Sequence, residues 1–191
     1  MMTTAGSLAL DGARVQRDAN LVSRLREGGA IILAKTNLSE WANFRSTKSC
    51  TGWSSRGGQV RNAYAIDRTP GGSSSGSAVA VARSFCAGAI GTETDGSIVV
   101  PAAMNSLVGI KPTVGMVSRT GVIPISFSQD TAGPIAKTVI DASTILSVLM
   151  GHDPADSSSK DLKQGFPRKF THGFNRNALK GKRIGVIRNY S

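Results

Sequence analysis

Two stretches of this 191-residue chain concentrate serine and glycine where they could do chemistry. The first is Pro70-Gly71-Gly72-Ser73-Ser74-Ser75-Gly76-Ser77, which runs directly into Ala78-Val79-Ala80-Val81-Ala82. The second is Glu93-Thr94-Asp95-Gly96-Ser97, which leads to Pro101. Each ends a strand or loop and opens a helix. Loops of this kind aim several backbone N–H groups at one point, and a helix N-terminus adds positive potential. Such a place can hold a phosphate, or the oxyanion of a tetrahedral intermediate. A Walker-type phosphate loop needs Gly-Lys-Ser/Thr where this chain has Gly76-Ser77, and the dinucleotide fingerprint GxGxxG is absent, so nucleotide binding is not expected. Gly72-Ser73-Ser74-Ser75-Gly76 matches the G-x-S-x-G pattern of a nucleophile elbow. The elbow, however, needs an apolar strand before it and an Asp and a His after it. Asp67-Arg68-Thr69-Pro70 is no such strand, and His152 and His172 read as surface residues.

The elements that must position these loops follow from periodicity and turn chemistry. Asp18 is placed to cap a helix carrying Leu21, Val22 and Leu25 on one face, ended by Gly28-Gly29. Ala30-Ile31-Ile32-Leu33-Ala34 reads as a buried strand, which makes the opening a helix–strand pair of an α/β fold. Asn37-Leu38-Ser39-Glu40 resembles a capping box that starts a short helix through Trp41 and Phe44. Residues 45–70 form a long polar loop. Strands are expected at Ala89-Ile90-Gly91-Thr92 and Leu107-Val108-Gly109-Ile110, with Pro101 in the first turn of a helix between them. Val139, Ala142, Ile145, Leu146 and Leu149 mark an amphipathic helix closed by Gly151. Residues 153–181 read as a polar connector, and Arg183-Ile184-Gly185-Val186-Ile187 as a last strand.

Composition sets the outer bounds. A hydrophobic fraction of 40% and a charged fraction of 18% are those of a globular chain. Apolar runs are too broken to span a bilayer, the N-terminus lacks a signal-peptide pattern, and the cytoplasm is the default compartment. Cys50 and Cys86 have no CxxC spacing and read as free thiols. The net charge is +11. Residues 160–191 hold nine Lys/Arg against Asp161 alone, so this tail contributes +8 of it. Its basic residues lie among Pro, Gly and Asn without an RNA-binding motif, so a solvated surface is expected rather than a nucleic-acid partner.

The blocks Gly71–Ala78, Gly91–Ile98 and Pro101-Ala102-Ala103 closely resemble the amidase signature family. So do Val108–Thr113 with Val117-Ser118-Arg119, the run Ser128–Pro134, and upstream Lys35–Ala42. Thr94-Asp95-Gly96-Ser97 resembles the branch that contains peptide amidases; glutamyl-tRNA amidotransferase A subunits are also relatives. The resemblance implies an α/β fold with a mixed sheet flanked by helices. Residues 1–152 would be the central part of the family domain, 153–181 a basic connector, and 182–191 the start of a further strand. It implies Ser97 as a nucleophile that forms an acyl-enzyme on an amide carbonyl, and Ser73 as a bridging serine held through a cis peptide. Backbone N–H groups of Thr94, Asp95 and Gly96 would form the oxyanion hole, with Gly71, Gly72 and Ser74 supporting the loop. The expected partner is a small-molecule or peptide amide substrate, with no cofactor, metal or membrane; a protein partner is left open.

An unactivated serine needs a base, which in this family is a lysine whose pKa, ordinarily near 10.4, must be lowered. Relatives carry it just before the stretch that corresponds to Thr3-Thr4-Ala5-Gly6-Ser7, and no lysine precedes Lys35 here. Lys35 and Lys111 belong to separate blocks of the signature. The chain therefore reads as a piece of an amidase whose base lies elsewhere, or as an inactive truncated homologue, either a binding or scaffold module or a decaying gene product. Ser106 stands where relatives often have Gly, Phe127 where His is common, and Arg83 interrupts an apolar helix.

Overall fold

The structure is a computed structural model that describes residues 1–163, 170–171 and 174–186. Helix α1 spans Asn20–Glu27, the short strands β1 and β2 are Trp53–Ser54 and Gly58–Gln59, and helix α2 is Ser75–Ala82. Strand β3 (Gly88–Glu93), helix α3 (Val99–Met104), strand β4 (Val108–Gly109), strand β5 (Thr131–Ala136) and helix α4 (Val139–Leu149) follow. The chain is α/β, as expected, and the described strand pairs are antiparallel. β5 lies between β3 and β4.

Alternation along β5 builds the two layers around this sheet. Ala132 joins Leu21 of α1 and Leu146 and Leu149 of α4 in one buried cluster, completed by Val117 and Met150. Ile135, three residues on and so on the other face, joins Ala78 of α2 with Ile98 and Ala102 at α3. Burying a side chain such as Ile135 completely contributes about 1.5–3 kcal/mol. The pattern gave no strand here, because Gly133-Pro134 is a poor strand sequence. Gly133 is required here because a Cβ would come within 2.1 Å of the Ile110 carbonyl, and the Pro134 carbonyl still accepts from Ile110 N at 3.0 Å.

Several expectations are corrected. Helix α1 is capped by Ala19 without a side-chain bond, and Asp18 pairs instead with Arg26 at 2.8 Å. Ala30–Ala34 is neither a strand nor buried; Ile31 and Leu33 are 84% and 64% exposed. No described strand lies alongside to pair with it, and a strand needs that neighbour. Glu40–Asn43 is one short turn in which Trp41, Ala42 and Asn43 all have positive φ, so no right-handed helix starts there. The groups of the supposed capping box are engaged elsewhere: Ser39 Oγ accepts from Gly52 N at 2.8 Å, and Glu40 Oε2 from Ser55 N at 2.6 Å. Residues 183–186 form no strand, and Ile187 lies outside the described residues, as does His172.

Other expectations hold with adjustments. The loop over 45–70 carries the β1–β2 hairpin. Arg83 does not interrupt α2 but ends it, donating to the Ala63 carbonyl at 3.3 Å. α4 is capped by Thr138, although Val139 at its start is exposed. Ser106 adopts φ +55, the left-handed conformation that explains glycine at this position. The first part of the supposed connector is packed rather than loose. Arg119 holds the Asp156 carboxylate at 3.0 Å, Ser118 donates to Asp153 at 2.6 Å, and Ser159 is buried between them and His152. The bonds from Arg119 keep the Asp156 carboxyl far below the usual aspartate range. Cys50 and Cys86 are free thiols, and burial pushes the Cys86 thiol up.

Candidate active site

The two serine loops meet at the N-terminal ends of α2 and α3, beside the end of β3. Small residues make the approach possible. A Cβ on Gly91 would lie 2.7 Å from Ser74 Oγ, and one on Gly76 only 2.4 Å from the Asn37 carbonyl. Ser74 is the joint between the loops. Its N–H donates to the Ser97 carbonyl at 3.2 Å, while its hydroxyl accepts from Thr92 N at 3.2 Å and donates to Thr92 O at 3.3 Å.

In the first loop Gly71 takes φ +68, and a Cβ there would meet Pro101 of α3 at 2.9 Å. Gly72 lies against Ser39, and the Gly72–Ser73 peptide is cis. Ser73 is buried, and its carbonyl accepts from both Ser39 N at 3.0 Å and Ser75 N at 2.8 Å. Ser75 Oγ closes the loop on Gly71 O at 2.6 Å. The peptide that carries Ser73 is thus fixed by bonds from both sides.

The second loop folds back on itself through Glu93. This buried carboxylate accepts from Ile98 N at 2.6 Å and Val99 N at 2.9 Å, so Thr94–Ser97 is the tip of a closed turn. Gly96 supplies the positive φ of +75 that the turn requires. Among the described residues, the N–H groups of Thr94, Asp95 and Gly96 have no protein acceptor. The Thr94 carbonyl accepts from Lys111 Nζ at 3.1 Å. Because the C=O and N–H of a trans peptide point opposite ways, that bond turns the Asp95 N–H away from Lys111.

Thr94, Asp95 and Ser97 line a cavity of about 310 Å3. Its other walls are Ala42, Asn43 and Phe44 from the left-handed turn, and Ile125, Ser126 and Gln129. Asn43 donates through Nδ2 to Thr51 Oγ1 at 3.3 Å, while its Oδ1 is buried without a hydrogen-bond partner among the described residues. Ser97 therefore stands at a cavity, whereas Ser73 is buried and does not line it. Sequence reasoning missed Glu93, Asn43 and Asp130, the last a buried carboxylate that accepts from Thr94 Oγ1 at 2.5 Å. The only available signal was that Asp130 is the one charged residue of its block, whereas Glu93 shares its block with Asp95. Lys35 Nζ donates to Thr3 Oγ1, and neither Lys35 nor Lys111 lines the cavity. Among the described residues no group of three or more His, Cys, Asp or Glu could hold a metal ion, and no helix is long and apolar enough to cross a membrane.

Comparison with known proteins gives one consistent family. The family model described as Amidase matches residues 1–191. A probable amidase of Arabidopsis thaliana is 51% identical over 190 residues, covering 99% of this chain and 37% of that protein. A putative amidase of Schizosaccharomyces pombe is 49% identical over 191 residues, covering 97% of this chain and 32% of that protein. The crystal structure of native peptide amidase from Stenotrophomonas maltophilia superposes with a TM-score of 0.85 at 61% identity, over 88% of this chain and 34% of that one. The chain thus spans about a third of the length of the relatives it matches.

Proposed function

The chain belongs to the amidase family, and from that premise we propose that it supplies the nucleophile and the oxyanion wall of an enzyme hydrolysing carboxamide C–N bonds. The observation that carries this reading is the placement of Ser97 at the cavity, directly after a turn whose N–H groups are unpaired among the described residues. Ser97 Oγ attacks the amide carbonyl carbon as a base removes the hydroxyl proton, with Ser73 relaying it. The carbonyl π electrons move onto oxygen, and the resulting oxyanion is held by the N–H groups of Thr94, Asp95 and Gly96. Donors aimed where charge develops are worth about 10²–10³ in rate each. Collapse of this intermediate breaks the C–N bond, and the relayed proton leaves with the amine. Water then attacks the acyl-Ser97 ester, releasing the carboxylic acid and restoring the hydroxyl. Asn43 Oδ1, without a partner among the described residues, offers an acceptor for a donor on the substrate.

Neither Lys35 nor Lys111 is assigned as the base. Lys35 is engaged with Thr3, and Lys111 with the far side of the Thr94 peptide. The substrate class is a small or peptide amide, in keeping with the peptide amidase neighbour, and the reading needs no cofactor. The test is ammonia release from peptide C-terminal amides and simple carboxamides by the native polypeptide, with its intact mass and N-terminus read alongside its transcript. Release that disappears in Ser97→Ala supports the reading. A native polypeptide that lacks a further lysine and releases nothing favours an inactive binding homologue instead.

A further inference from the structure

Asp130 lies immediately before β5, behind the cavity wall rather than on its surface. Its carboxylate gathers donors from two walls at once. Thr94 Oγ1 donates to Oδ1 at 2.5 Å, while Ile125 N and Ser126 N donate to Oδ2 at 2.7 and 2.8 Å. Thr94 belongs to the turn that ends in Ser97, and Ile125 and Ser126 belong to the facing wall. We propose that Asp130 is a positioning residue for acyl transfer at Ser97, holding the oxyanion turn and the 125–126 wall in one fixed spacing. The inference rests on the acyl-transfer reading of the same site.

The chemistry of the clamp explains the residue type. A carboxylate accepts at both oxygens, and charge-assisted bonds are shorter and roughly twice as strong as neutral ones. Its backbone is anchored as well: Asp130 N donates to Ser126 O at 2.9 Å, so the 126–130 turn closes on the residue whose side chain holds its start. Burial of the group keeps water from competing for the three donors. The Thr94 hydroxyl arm matters most for reaction, because it acts on the residue whose peptide opens the oxyanion turn. With Lys111 holding the Thr94 carbonyl, this peptide is constrained at the side chain and at the backbone.

Asparagine can replace much of the clamp. Its Oδ1 can still accept from Ile125 and Ser126, and its Nδ2 can donate to the Thr94 hydroxyl, which also accepts. Alanine releases both walls, and Thr94→Val releases only the turn. The experiment measures, in the native polypeptide, the rate constant and the final extent of Ser97 labelling by a fluorophosphonate reagent. Asp130→Ala is expected to label to full extent but about a hundredfold more slowly, the loss characteristic of a 1 Å misplacement. Thr94→Val should lose nearly as much, the double variant no more than the larger single loss, and Asp130→Asn less than about tenfold, since groups in one network are not additive. A merely structural role would lower the labelled fraction and leave its rate constant unchanged, which overturns the inference alone. Losses that multiply in the double variant also overturn it. Wild type that takes no label overturns the acyl-transfer reading, and this inference with it.

Discussion

Residues 71–98 and residues 30–34 are both built from small or apolar side chains, and they are held in opposite ways. In the first region every turn finds its partner within the described chain. Ser74 bridges to Thr92 and Ser97, Glu93 reaches forward to Ile98 and Val99, and β5 supplies the ladder for β3. In the second region the backbone has no ladder among the described residues, and Ile31 and Leu33 face outward. Residues 183–186 share that condition, with Ile184 and Val186 exposed. Apolar pattern alone therefore does not fix an element. What fixes the serine loops is a set of short polar contacts made by Ser74, Ser75 and Glu93, which leave the N–H groups of Thr94, Asp95 and Gly96 unpaired among the described residues. The two serine loops are in this way held from within the described residues, while residues 30–34 and 183–186 have no strand partner among them.

The comparison can be broken most sharply at the level of activity. The 191-residue chain alone is expected to hydrolyse carboxamides on the order of a millionfold more slowly than a polypeptide that also carries the base, since removing one member of a catalytic unit can cost as much as removing all. Equal rates per molecule, measured by ammonia release, would place the base within these 191 residues. Stability gives the next largest contrast. Ile135→Ala should lower the unfolding free energy by about 2–5 kcal/mol in a urea titration. Ile31→Ser should change it by about 0.5 kcal/mol or less, as for an ordinary surface site. A large loss at Ile31 would mean that this segment is paired in solution.

Two smaller effects sharpen the account of the loops. Gly91→Ala places a methyl group against Ser74 Oγ and should cost about 1–3 kcal/mol, with slower labelling of Ser97 as the joint is forced apart. No change in either would show that the joint has slack. The least effect is expected from acid. Asp156 has a depressed folded pKa, so its contribution is present above the unfolded aspartate value near 3.9 and is lost as pH falls from there through the folded value. The melting temperature of Asp156→Asn should therefore lie below wild type at about pH 7, and the gap should narrow below about pH 4. A gap that is constant with pH would contradict that linkage.

Much of the site could be read from residue order, because its chemistry depends on local sequence. The Gly/Ser loops, the helices they open and the turn at Gly96 all follow from glycine and serine at fixed spacing. The Gly72–Ser73 cis peptide, expected from the family resemblance, is present. The parts that were not legible are those fixed by distant contacts. β5 hides behind Gly133-Pro134, and its central place is visible only when β3 and β4 close on it. Asp130 and Glu93 look like ordinary acids until their donors, which come from other turns, are known. Glu40 misled in the reverse sense: it reads as a capping residue, yet its carboxylate is held low mainly by bonds to Ser55.

The central claim is that Ser97 is the acyl-accepting nucleophile. Its most direct test is to treat the native polypeptide with a fluorophosphonate reagent, digest it with trypsin, and locate the adduct by fragment-ion mass spectrometry. The account predicts a single adduct on Ser97 within the peptide that follows Arg83, lost in Ser97→Ala and kept in Ser106→Ala. An adduct on Ser73, or continued amide hydrolysis by Ser97→Ala, would contradict it.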